Sequence, residues 1–146
     1  MNDSAPSAHV LRQANLPRLS RGGGVESVPY VGSRHIPGAQ LTTGVTIIPP
    51  GGAIALHSHN VEETILVLEG AGVARIGDDE SSVTAGDATW VPAGTSHRFA
   101  NPGTGELRIY WVYAGPHVTR TVTATGETFE HLSDGRPPEN PTARAE

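Results

Sequence analysis

The chain has 146 residues, a formal net charge of −5 and no cysteine, which leaves room for one domain and excludes a disulfide framework, a thiolate metal ligand and a cysteine nucleophile. Its ten basic residues are all arginine, so no lysine is available for a Schiff base with a carbonyl substrate or pyridoxal phosphate. The arginines are scattered along an acidic chain, which argues against nucleic acid as partner and for a small molecule.

Residues 1–24 are polar and broken by Pro6, Pro17 and Gly22-Gly23-Gly24, and read as a flexible N-terminal arm. The opening Met1-Asn2-Asp3-Ser4 lacks a basic stretch followed by an apolar one, and no run approaches the roughly 18 apolar residues of a membrane span. A cytoplasmic protein without membrane contact is the expectation. Residues 25–132 read as the folded domain and 133–146 as a flexible C-terminal tail.

Within the domain, β-rich runs at 42–48, 63–68, 72–76, 88–92, 97–100 and 107–113 are separated by Gly, Pro, Asn or Asp, with no helical period. Short strands so spaced predict an all-β sandwich or barrel.

The chemistry concentrates in two segments. His57 and His59 are two apart, so on a strand both imidazoles project from one face and can reach one ion. Glu63 returns to that face if the strand continues through Asn60-Val61-Glu62. His97 follows the turn Pro92-Ala93-Gly94-Thr95-Ser96 and starts an alternating strand with Phe99, so a hairpin would bring it opposite the first pair.

The order Gly51, His57-Ser58-His59, Glu63, Gly70 resembles the first motif of the cupin family at every fixed position. Gly86, Pro92-Ala93-Gly94, His97, Asn101 is similar to the second motif. The motifs span 51–101, the strand pattern extends the likeness to about 42–122, and the short interval between the motifs is that of a small single-domain bacterial cupin.

The resemblance implies a cupin double-stranded β-helix, or jelly-roll barrel, holding one divalent transition metal (Fe, Mn, Ni, Co, Cu or Zn) on His57, His59, Glu63 and His97. A set of nitrogen and oxygen donors does not choose among these ions. Open coordination positions would suit a bidentate, oxygen-rich and anionic substrate, or a substrate atom beside dioxygen. A mononuclear oxygenase or dioxygenase is therefore expected, with a redox-neutral isomerase, lyase or cyclase and a non-catalytic ligand-binding cupin as alternatives. The intact ligand set disfavours a sugar-nucleotide epimerase, and the lack of a helix-turn-helix pattern disfavours a transcription regulator.

Alternation aims Ile65 and Val67 inward from Glu63, and Phe99 inward from His97, as an apolar pocket lining. Trp111 and Tyr113 share one face of their strand and Tyr110 and Val112 the other, and the sequence leaves open which face is inward. Trp111 and Tyr113 are expected to line the pocket, with Tyr113 the one catalytic candidate, through its hydroxyl. Asn101 and Gly94 are expected to fix the turn presenting His97. Glu62 reads as surface, as do Arg34 and His35, although these two have a possible place at the barrel mouth. His9, His117 and His131 have no partner spacing and receive no role. The small core favours a homodimer, with 25–40 as a strand that crosses to the partner.

Overall fold

A computed structural model describes residues 8–131; the tail at 133–146 and the first seven residues of the arm lie outside the described residues. After a short 3-10 turn at Gln13–Asn15, twelve strands follow: β1 Leu19–Gly22, β2 Val25–Pro29, β3 Thr42–Ile48, β4 His57–His59, β5 Glu63–Glu69, β6 Ala71–Ile76, β7 Asp79–Thr84, β8 Ala88–Val91, β9 His97–Ala100, β10 Leu107–Tyr113, β11 Thr119–Val122 and β12 Thr128–Glu130. They form two six-stranded antiparallel sheets, ordered β1-β2-β3-β10-β5-β8 and β12-β11-β4-β9-β6-β7. The result is a jelly roll, as expected.

Alternation explains the packing. Along β5 and β10, every second side chain is buried, and Ile65, Val67, Leu107, Ile109, Trp111 and Tyr113 meet Ile54, Ala74 and Phe99 between the sheets. Gly44 lies opposite Trp111 in the β3–β10 register. A Cβ there would sit 2.4 Å from the indole, so the bare backbone makes the space in which Trp111 turns inward and donates its Nε1 proton to Thr46 at 2.8 Å.

Besides β11 and β12, which the expected runs do not include, three elements differ from the sequence expectation. Leu19–Gly22, in the stretch read as an arm, is a strand paired with β2. Val25–Pro29, offered as a strand crossing to a partner, pairs with β3 of its own chain. The run Asp79–Thr84 is polar, with almost every side chain exposed, and so carries no alternating signal; it is held by its six-residue register with β6.

Candidate metal centre

His57 and His59 lie on β4 with both rings buried, and His57 is paired in register with His97 on β9. The ring centroids of His57 and His97 are 4.4 Å apart, and those of His57 and His59 4.8 Å. One potential ligand atom from each of the three imidazoles lies within 4.8 Å of the others.

Glu63 reaches them by a different route from the one expected. β4 ends at His59, and the chain then changes sheets, so that Glu63 opens β5 in the facing sheet. Asn60 builds this corner: its Oδ1 accepts from the Thr119 amide at 2.8 Å and its Nδ2 donates to the His117 carbonyl at 3.0 Å. Glu63 Oε1 lies 3.1 Å from His97 Nε2 and 3.5 Å from His59 Nε2. Three imidazoles come from one sheet and the carboxylate from the other.

The turn before His97 is likewise a passage between sheets rather than a hairpin. β8 pairs with β5, and β9 with β4 and β6. Gly94 adopts φ 86° in this turn, where glycine is favoured, and donates its amide to the His59 carbonyl at 2.9 Å. Asn101, expected to help shape the same turn, instead sits at the far end of β9. Fully buried, it donates to the carbonyls of Ile48 at 2.9 Å and Gly105 at 2.8 Å, and accepts from the Gly103 amide at 3.1 Å.

The hydrogen bonds of the rings set their tautomers. Each Nδ1 faces a backbone carbonyl: Ala55 at 2.7 Å for His57, Thr119 at 2.9 Å for His59 and Thr95 at 2.8 Å for His97. A proton held on Nδ1 leaves a lone pair on Nε2. Among the described residues, His59 Nε2, His97 Nε2 and both Glu63 oxygens are buried with no hydrogen-bond partner. Buried acceptors so close together repel one another unless a cation lies between them. The donor set therefore fits a divalent ion.

Burial also keeps His57 and His59 neutral. It is the largest influence on His59, pushing it from the usual 6.5 to about 4 against the opposing pull of Glu63. His57 is held well below its ordinary value, again by burial first and then by Arg120. Neutral imidazole is the form that binds metal.

The chamber beside these groups has a volume of about 30 Å3 and is lined by Ile65, Phe99, Trp111 and Tyr113 among others. Trp111 and Tyr113, whose orientation the sequence left open, both point inward and stack at 5.0 Å. Val67 packs in the core between the sheets and is not among the residues that line the chamber. Burial, then the Glu63 charge, pushes the Tyr113 phenol well above its usual range, so at neutral pH it keeps its proton and can donate a hydrogen bond. Glu62 is exposed and accepts from Trp90 Nε1 at 2.8 Å.

Three chamber residues escaped the sequence reading. Arg120 is buried and stands opposite His59 in the β11–β4 register. Its signal was present, because Val118, Arg120 and Val122 alternate as one inward face. Arg21, on β1, also lines the chamber. His131, read as having no role, brings its ring to 4.8 Å from Tyr113 and 5.5 Å from His59. It follows the three-residue strand β12, which is too short for a pattern to show.

Residues 44–113 match the family model described as "Cupin domain". These residues form a cupin domain. Over 73 residues the chain is 32% identical to an uncharacterized protein of Methanocaldococcus jannaschii, MJ1618; the match covers 49% of this chain and 58% of that relative's length. A crystal structure from Thermotoga maritima, described as a predicted oxalate decarboxylase, superposes with a TM-score of 0.64 at 25% identity, covering 73% of this chain and 99% of that one. Bacillus subtilis oxalate decarboxylase, in a structure described by its Mn(II) centers, shares the cupin fold at TM-score 0.68 and 18% identity, over 77% of this chain and 31% of that one. Within the cupin barrel of the present chain, three histidines are positioned to hold a metal.

Proposed function

We propose that this cupin is a metal-dependent enzyme acting on a small, oxygen-rich, anionic organic molecule, and that it works as a mononuclear oxygenase. The observation that carries the reading is the set of buried, unsatisfied acceptors on His59, His97 and Glu63, completed by His57. A divalent ion held by these four residues would polarise a substrate carbonyl or carboxylate and, if redox-active, would couple the substrate to dioxygen.

The chain's own residues supply the rest. Arg120 and Arg21 bring positive charge to the chamber and favour an anion there. Ile54, Ile65, Phe99 and Ile109 wall it against water. Tyr113, kept protonated, is placed to donate a hydrogen bond to a substrate oxygen.

A redox-neutral lyase, isomerase or cyclase is the second reading, favoured by the Thermotoga relative, which the chain covers almost completely. Oxygen-electrode assays on Fe(II)- and Mn(II)-loaded protein with a panel of small hydroxy acids, diketones and dicarboxylates separate the two. Substrate-dependent oxygen uptake is expected. Turnover of a panel compound under anaerobic conditions would replace the oxygenase with the lyase reading, and binding without turnover in either atmosphere would make this a ligand-binding cupin.

The partner assigned here besides substrate is a second copy of the chain. Leu66, Leu68 and Trp90 are exposed on the outer face of β5 and β8, and apolar groups clustered this way mark contact surfaces. Sedimentation as a monomer at micromolar concentration would contradict it.

A further inference from the structure

A second, larger cavity of about 210 Å3 lies on the other side of His131 from the metal chamber, and His131 lines both. Leu19, Pro29, Val31 and Val118 give the outer cavity apolar walls, and Arg34 stands at its edge. The volumes differ in what they admit. An apolar cavity of about 150 Å3 accepts a benzene ring, whereas about 30 Å3 has room for only a few water-sized groups. The inner chamber alone holds only the reacting end of a substrate.

His131 adds an independent sign of a ligand. Both of its ring nitrogens are buried and have no hydrogen-bond partner among the described residues. Its ring packs edge-on against Trp111 and Tyr113, which fixes it between the two spaces with its polar atoms unsatisfied. A buried imidazole with neither nitrogen bonded calls for a polar group from elsewhere.

Arg34 indicates the charge of that ligand. It pairs with Glu130 at 3.1 Å, and the two side chains are 61% and 74% exposed. An ion pair so open to water holds weakly, and Arg34 can exchange it for the carboxylate of a ligand. His35 and His117 also border the cavity, and among the described residues that line it Glu130 is the one acidic side chain.

We propose that the outer cavity binds the ring-sized body of an organic carboxylate, with Arg34 on the carboxylate and His131 hydrogen-bonded to the part that enters the metal chamber. This rests on the metal-enzyme reading for the use of the bound acid, while binding to the cavity needs no metal.

Benzoate is the probe, with neutral benzamide as its control, followed by ligand-detected NMR on the full chain with and without Mn(II). Benzoate is expected to bind metal-free protein, at least tenfold tighter than benzamide. Arg34→Gln should weaken it roughly tenfold, the value of one partly exposed charge-assisted contact. Val31→Phe should weaken it by narrowing the cavity. In the Mn(II)-loaded protein, the benzoate ring signals should broaden strongly. Absence of benzoate binding, equal binding of benzamide, or indifference to Arg34→Gln would overturn the proposal, and binding without Mn(II) broadening would overturn the link between the two spaces. A protein that takes up no Mn(II) but binds benzoate as described would retain the cavity and discard the metal-enzyme reading.

Discussion

Glu63 Oε1, from β5 in one sheet, lies 3.1 Å from Nε2 of His97, from β9 in the other. Both atoms are buried and neither has a hydrogen-bond partner among the described residues. A cation placed between them would satisfy both atoms and would tie the two sheets together.

Replacing Glu63 by Gln keeps the shape and removes the charge. Metal affinity should fall by roughly 100-fold or more, beyond the ~10–100-fold typical of residues that only orient a ligand. Competition titration against a chromophoric chelator measures this. Unchanged affinity would take Glu63 out of the ligand set.

The metal-free protein should lose stability on acidification. His59 and His57 have folded pKa values below the unfolded 6.5, His59 at about 4. As pH falls from 6.5 toward 4, the unfolded chain takes up protons that the folded chain refuses, so their contribution is full above 6.5 and declines through this window. For His59 the loss is roughly 3 kcal/mol. Urea midpoints at pH 7.5, 6 and 5, with chelator present, should decrease in that order; a flat series would contradict the neutral imidazoles.

Gly44→Ala should destabilise the barrel by about 1–3 kcal/mol, the usual cost of overpacking. The new Cβ would fall 2.4 Å from Trp111, and the indole would have to leave Thr46 and disturb its stack on Tyr113. Thermal denaturation gives the magnitude, and near-ultraviolet circular dichroism reports the indole. A variant as stable as the parent would show that the β3–β10 packing is looser than described.

Much of this was legible in the sequence, for identifiable reasons. The strands Thr42–Ile48, His97–Ala100 and Leu107–Tyr113 have the bounds read from the sequence: the last two are half-buried and write their period into the chain, and the first, buried on both faces, shows as a β-rich run between breakers. The three histidines meet as their spacing implies. What the spacing did not tell is that the chain crosses between sheets at Asn60–Glu62 and again at 92–96; within one strand, four residues return a side chain to the same face, and across a corner the barrel does this instead. Asn101 was read as local to His97 because hydrogen bonds to Ile48 and Gly105 leave no mark in sequence. Arg120 was missed although Val118 and Val122 flank it on one inward face, and His131 because it follows a strand of three residues, too short to show a period.

Asn101→Ala should then act on stability more than on the metal. Its amide satisfies two carbonyls and one amide, and leaving such groups unpaired costs about 1–3 kcal/mol. Denaturant unfolding together with metal titration tests both halves. Loss of metal at full stability would restore Asn101 to the presentation of His97.

The central claim, that His57, His59, His97 and Glu63 hold one divalent ion between the sheets, is tested most directly by metal content. Protein purified without an affinity tag, and its His97→Ala variant checked for folding by circular dichroism, are compared by elemental analysis after loading with Mn(II) or Fe(II) and desalting. One metal per wild-type chain and almost none in the folded variant is the expected result. Equal metal in both, or none in the wild type, would contradict the account.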